Sequence, residues 1–249
     1  MKVMIIILLI CSGCTMVSGQ NRLDREGRKT GPWKMDYPDG GTMYEASFRA
    51  GRPVGLMVRY YESGAVQARM VFDSIDNRCY TELFSEKGKK AAEGWHVDRK
   101  KDSVWTYYSG FDGTVRIKEN YENGVLNGKA CSYYPTGGIL DEVNWREGSR
   151  EGSWNQYFED GTLRLRGAYE NDMLNGPYEV YYPGSTLMIK GLYKDDLSQG
   201  TWSFYDETGE LLHTLEYKNG IPLDLEKHRQ MMNDILLQAD SIVPQPFLE

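Results

Sequence analysis

The sequence predicts an all-β chain: an elongated antiparallel meander of about eight β-hairpin repeats with a C-terminal capping α-helix. Three observations predict it. A unit of about 24 residues recurs, aromatic-rich short runs alternate with turn dipeptides inside it, and helical periodicity replaces both after Pro222. The unit is plain in GSWNQYFEDGTLRLRGAYENDMLN from Gly152, GPYEVYYPGSTLMIKGLYKDDLSQ from Gly176 and GTWSFYDETGELLHTLEYKNGIPL from Gly200. It also opens at Gly31, Gly55 and Gly128 and, degraded, at Cys79 and Ser103, so the eight openings contain one single-residue slip. In such an array each unit contacts mainly its neighbours, and the product is an extended surface rather than an enclosed cavity.

Taken in chain order, residues 1–19 read as a signal segment and are set aside from the fold. Lys2 supplies the positive start, and Val3 to Cys11 form an apolar stretch too short for a stable bilayer span. Cys11-Ser12-Gly13-Cys14 resembles a bacterial lipobox, with Cys11 where leucine is usual, and makes Cys14 the expected lipid-attachment residue. The competing reading is cleavage after Val17-Ser18-Gly19, before Gln20, as in an ordinary secreted protein. Lipidation is preferred because the apolar stretch ends so near Cys14, and either route takes the protein out of the cytoplasm. Residues 20–30 are polar and read as a tether; residues 31–222 are the array.

Within a unit, the first strand is aromatic: Trp33 to Tyr37, Trp154 to Phe158, Tyr178 to Tyr182, Trp202 to Asp206. Asp39-Gly40, Ser63-Gly64 and Asp160-Gly161 then signal a hairpin. The second strand alternates with period two, placing Leu163, Leu165, Gly167 and Tyr169 on one face, as it does Leu187, Ile189, Gly191 and Tyr193, and Leu211, His213, Leu215 and Tyr217. Turns such as Asn123-Gly124 and Asn219-Gly220 lead to the next unit. An isolated hairpin is marginal in water, so stability must pass between units. The closing aromatics Phe48, Phe72, Trp95, Tyr121, Trp145, Tyr169, Tyr193 and Tyr217 offer a stack, each ring burying ~150–250 Å². Sixteen strands at ~4.8 Å spacing give a sheet roughly 75 Å long.

Units three and four break the pattern. Cys79 replaces the opening glycine, Thr81 the tryptophan, Ala91-Ala92 dilute a strand, and Asp98 to Ser103 lacks the usual turn glycine. A bend or irregularity is expected there; a kink aiming two half-arrays at a partner is the functional alternative. Residues 223–249 supply the helix and a tail: Leu225, His228, Met232, Ile235, Leu236 and Ala239 fall on one face, Asp224 is the N-cap and Pro244 follows the end. Such a helix covers an open sheet edge, or else binds a partner.

Chemistry is sparse. The formal charge of −7 gives a nucleic acid or other polyanion no global attraction. Cys79 and Cys131 stand about four strands apart, beyond disulfide reach, and read as small apolar fillers. The three histidines, His96, His213 and His228, lie in no catalytic or metal-ligand spacing, and the acidic pairs occupy turns that favour Asp. No phosphate loop is present, so no cofactor and no metal are expected, and an enzyme is only the third reading. The candidate site is instead a ladder: Tyr60, Phe84, Tyr108, Tyr133, Tyr157, Tyr181 and Tyr205 share one position, with Asp36 breaking the series at its start. Their parity is opposite to that of Trp154 and Trp202. The ladder is either an exposed binding row for peptides, glycans or sheet surfaces, or a second stacking line with its hydroxyls bonded at the rim.

The pattern G-x-W-x-x-Y-x-x-x-G-x-L, followed by a closing Tyr and Asn-Gly, resembles the MORN-repeat variant over residues 31 to about 222. Bacterial chains of this build are filed with YwqK-type antitoxin-like proteins, a label that fits poorly with export. The resemblance implies a binding or scaffolding module made of hairpins. The expectation is an exported, membrane-anchored, non-catalytic module in the outer membrane or periplasm, meeting an envelope protein or surface polymer and, through its lipid, the membrane. A structural spacer or an antitoxin-like neutralising partner of an exported protein is the alternative.

Overall fold

The computed structural model describes residues 20–74 and 77–239. The signal segment with Cys14, and the tail beyond Ala239, lie outside the described residues. The long strands pair antiparallel in chain order from Lys29–Asp36 to Leu211–Lys218, and the short strands Arg22–Leu23, Val125–Leu126, Met173–Leu174 and Ile221–Pro222 each pair with an adjoining long strand, all in one sheet. Unit six is representative. Ser149–Tyr157 pairs with Leu163–Glu170, which in turn pairs with Met173–Leu174 and Gly176–Tyr181. The connection between units is a two-residue turn with both residues at positive φ, as at Asn123 (52°) and Gly124 (85°) or Asn219 (51°) and Gly220 (76°). This primed turn matches the right-handed twist of the flanking strands.

Most units carry two bulges. The first lies at the opening residue. Ser47 pairs with Val54 and Glu45 with Val58, so Gly55 to Met57 face Ala46 alone. The same shift recurs at Ser103, Gly152 and Gly200. The opening residue there is left-handed (φ 65° at Gly55, 95° at Gly152), which is why glycine is the repeated choice. The second bulge falls just before each ladder position, as between Gln156 and Tyr157.

The irregularity expected in units three and four falls there, though not over Asp98 to Ser103. Asp98 (50°) and Arg99 (67°) make the ordinary turn without a glycine, and Ser103 (58°) takes the left-handed opening position itself. The departure lies one connection earlier. Val66–Phe72 pairs with Arg78–Phe84 in unbroken register, from Ala68 with Leu83 to Phe72 with Cys79. The connection is correspondingly longer, closed by the Asp73 N–H on the Arg78 carbonyl at 3.0 Å. Two residues have moved from bulge to connection, so the period survives and Cys79 needs no left-handed backbone. The one-residue slip sits in the hairpin loop of unit four. There Ser109 N–H reaches the Thr114 carbonyl, whereas Tyr37 N–H reaches Gly41, and the lengthened loop holds Phe111 89% exposed.

All fully buried strand residues share one face of the sheet, the ring face: Tyr44, Ala46, Ala68, Cys79, Thr81, Ala92, Trp105, Leu165, Trp202 and Leu215. Trp105 lies on Gly94 and Trp202 on Gly191, each belonging to the unit before; a Cβ at either glycine would stand 2.5 Å and 2.2 Å from the ring. Closing rings meet the first-strand indoles edge-on, as Phe48 does Trp33 at 6.1 Å and Tyr193 does Trp202 at 5.0 Å. Lysine ammonium groups lie over the stack: Lys29 Nζ over Trp33, Tyr44 and Phe48, and Lys101 Nζ over Trp105, Tyr107 and Tyr121.

Trp95 is not a member of this stack. His96 holds the equivalent place, 4.8 Å from the Trp105 ring, with its Nδ1 3.0 Å from the Thr81 hydroxyl. Trp95 packs against Tyr80 on the opposite face at 5.2 Å. The phase follows from pairing: Thr81 stands opposite Gly94 and Cys79 opposite His96, which leaves Trp95 pointing the other way.

Residues 20–30 are no simple tether. Arg22–Leu23 pairs with Lys29–Thr30, the Asn21 N–H reaches the Pro32 carbonyl, and Lys34 N–H donates to Asn21 Oδ1 at 2.9 Å. With Pro32 lacking an N–H, this edge of the sheet is largely satisfied. At the far end Asp224 Oδ1 caps the helix Leu225–Ala239, accepting from Lys227 N–H at 2.9 Å. Its docking face differs from the expected one. Tyr217 takes His228 edge-on at 6.3 Å, which phases the helix so that Met231 is buried while Leu225 and Met232 are exposed. The side chains of Ile235, Leu236 and Ala239 lie outside the described set.

The ring-on-glycine contact makes a stability prediction. Gly94→Ala or Gly191→Ala forces an indole off its seat and should cost about 1–3 kcal/mol in a denaturant titration. Gly110→Ala, with nothing within 4 Å of its added Cβ, should stay near wild type.

Candidate binding face

The opposite face, the ladder face, is built by the same register. Cross-strand partners form one row from end to end: Lys34, Glu45, Val58, Arg69, Glu82, Glu93, Thr106, Lys118, Cys131, Glu142, Asn155, Arg166, Glu179, Lys190, Ser203 and Thr214. Acids and bases meet along it, as Lys129 with Glu142 at 3.0 Å and Lys90 with Glu82 at 2.5 Å. Partly exposed pairs of this kind contribute little stability, so the row matters for what it presents. Cys131 sits within it, half-buried between Lys118 and Glu142, and is not an apolar filler; Cys79 is buried on the ring face.

The ladder residues flank this row. Tyr60, Phe84, Tyr108, Tyr133, Tyr157, Tyr181 and Tyr205 are all half-buried. Their hydroxyls engage the row's carboxylates: Tyr60 donates to Glu45, Tyr108 to Glu93, Tyr157 to Glu142 at 3.2 Å and Tyr181 to Glu179 at 2.7 Å. Arg69 lies over Phe84 and Lys118 over Tyr133. The bulge before the ladder position sets an aliphatic residue directly opposite all but one ladder ring, as Val66 opposite Tyr60, Ile139 opposite Tyr133, Leu163 opposite Tyr157, Leu187 opposite Tyr181 and Leu211 opposite Tyr205; Phe84 faces Lys90 instead. Leu163, Leu187 and Leu211 therefore leave the face of Leu165, Ile189 and His213, which plain alternation had given them. The bulge inserts a residue and resets the phase.

Two shallow grooves open on this face at the same place in the repeat. One, of about 620 Å³, is lined by Ser153, Asn155, Tyr157, Leu163, Arg166 and Pro177. The other, of about 380 Å³, is lined by Pro32, Lys34, Glu45, Ser47, Leu56 and Val58. Asn155 and Lys34, Arg166 and Glu45, Pro177 and Leu56 stand at matching offsets from Gly152 and Gly31. The unit-six groove is the richer in chemistry. Asn155 donates to Glu142 Oε1 at 3.1 Å, and Arg166 lies 3.6 Å from Glu179. Burial raises the Glu142 carboxyl, but Lys129, Asn155 and Tyr157 more than offset it and the net shift is downward. Burial and the Glu142 charge push the Tyr157 phenol up.

One set of residues escaped the sequence reading. Tyr37, Tyr61, Tyr134 and Tyr182 follow the ladder position, and each hydroxyl donates to the main chain of the next unit's ladder residue: Tyr60, Phe84, Tyr157 and Tyr205, at 2.7 to 3.1 Å. Their recurrence at one offset was the available signal. Among the described residues no group of three or more His, Cys, Asp or Glu side chains could hold a metal ion, and no helix is long and apolar enough to cross a membrane.

Two stretches, residues 174–195 and 198–219, match the family model described as MORN repeat variant. They coincide with units seven and eight of the array. No curated protein matches the chain.

The ladder phenols give a pH prediction. Burial, then the bonded Glu93 carboxylate, pushes Tyr108 from the ordinary 10.0 up to about 12. A raised folded-state value means stability that is complete below pH 10.0 and is lost as pH rises toward 12. Tyr108→Phe should show a shallower loss across that interval in denaturant midpoints; an identical loss in both proteins would contradict the assignment.

Proposed function

We propose that this chain, whose units at residues 174–195 and 198–219 match the MORN repeat variant, works as a non-catalytic binding or scaffold module whose ladder face docks an envelope protein or a cell-surface polymer. The observation that carries the reading is the division of labour between the faces. The ring face holds the buried side chains, so the aromatic, aliphatic and charged rows of the ladder face are left to meet something else. Interior strands have their main-chain groups paired, so the face recognises through side chains. The location is part of the proposal. The lipobox-like Cys11-Ser12-Gly13-Cys14 supports an exported chain held to the membrane by lipid on Cys14, with the polar hairpin of residues 20–30 leading into the array.

Two experiments test this. In pull-downs from envelope fractions, a variant with Tyr133, Tyr157 and Tyr181 all changed to Ser should lose at least one partner that wild type retains, with the fold intact by circular dichroism. Retention of every partner would refute the ladder as the docking face. Metabolic labelling with a radioactive fatty acid should mark wild type and not Cys14→Ala; equal labelling of both would exclude Cys14.

A further inference from the structure

Building on the reading of the ladder face as a docking surface, we infer that the unit-six groove takes a neutral, extended β-1,4-linked glycan strand lying across the β-strands. Four observations converge on that ligand class. Spacing comes first. Ladder residues recur on every second strand, so neighbouring platforms stand ~9.6 Å apart at the usual strand separation. An extended β-1,4-linked glycan repeats at nearly this length, because each sugar is flipped relative to the last and only every second ring presents the same face. Tyr133, Tyr157 and Tyr181 can then meet the same face of alternate rings.

Chemistry comes second. A sugar ring has an apolar C–H face and a rim of hydroxyls that both donate and accept. The groove pairs an aromatic and an aliphatic side chain, Tyr157 and Leu163, with an amide, a guanidinium and a carboxylate from the adjoining row, Asn155, Arg166 and Glu142. Tyrosine suits such a place, with an apolar ring and a wet hydroxyl. Charge comes third. Arg166 and Lys129 are matched by Glu179 and Glu142, so neither a polyanion nor a polycation is favoured. Main-chain pairing comes fourth. Leu163–Glu170 is bonded on both sides, so an extended peptide cannot add to it as a strand, and the ligand must bring its own side-on hydroxyls. The unit-one groove supplies an internal control. It has the same register, but Asp36 stands where the ladder ring belongs, and Val58 stands where unit six has Glu179.

The test is calorimetric titration of the full mature chain with three hexasaccharides: β-1,4-linked N-acetylglucosamine, β-1,4-linked glucose and, as a curved control, α-1,4-linked glucose. Both β-linked probes should bind and the α-linked one should not. Tyr157→Ala should weaken binding about tenfold or more, and Tyr157→Phe, which keeps the ring, should retain most of it. Asn155→Ala should weaken binding independently, which keeps the test decisive if Tyr157→Ala folds poorly, and Leu56→Ala in the control groove should bind as wild type. Absence of binding by both β-linked probes, equal binding of the α-linked one, or wild-type affinity in both Tyr157→Ala and Asn155→Ala would overturn the inference. Should the probes fail while the envelope pull-down remains ladder-dependent, the glycan is wrong and the docking face stands. Loss of both would remove the docking reading as well.

Discussion

A sheet one layer thick has no second layer to bury against, and everything else in this molecule follows from how it buries side chains without one. The answer is a ring laid on the neighbouring unit. Trp105 covers Gly94 and Trp202 covers Gly191, and the opening bulge supplies the extra length that lets the indole reach back across the unit boundary. Glycine serves this twice, beneath the ring and, except where Ser103 stands, at the left-handed opening position. Lysine ammonium groups then close the top of the stack, as Lys101 does over Trp105, which is left 1% exposed. Stability in such an array is a sum over neighbours, each unit contributing a ring to one side and a seat to the other.

The same register that stacks rings on one face lays out a regular surface on the other. Pairing carries one row from Lys34 to Thr214 without interruption, and the second bulge sets an aliphatic side chain opposite nearly every ladder ring. The tyrosine clamps tie this surface from unit to unit, since Tyr134 holds the main chain of Tyr157 and Tyr182 that of Tyr205. A binding face that repeats is thus a by-product of a fold that must repeat to be stable. The neutral mixture of acid, base, amide and ring favours partners recognised by stacking and hydrogen bonds over those drawn by net charge.

Much of this was legible in the residues. The period, the hairpins, the terminal helix and the opposite parities of the Trp and Tyr positions are local patterns, and local patterns survive folding. What was lost depended on phase. Trp95 is one residue away from the ring position, and His96, a weaker aromatic signal, holds it by pairing opposite Cys79. Leu163 changes face because a bulge inserts a residue, and a bulge has no side-chain signature of its own. The turn at Asp98-Arg99 looked defective for want of glycine, yet both residues adopt the left-handed backbone the turn requires. The real departure, at Asp73 to Arg78, was hidden because two residues moved from bulge to connection without changing the period. The grooves of units one and six needed coordinates, since three strands contribute to each.

Hydrogen exchange on Trp202→Ala tests most directly whether stability passes from neighbour to neighbour through the rings. Amide protection should fall across Leu187–Lys194, Leu197–Tyr205 and Leu211–Lys218, the strands around the lost ring, and persist in Thr42–Arg49 through Val66–Phe72. A uniform loss along the whole chain, or protection unchanged beside the removed ring, would contradict it.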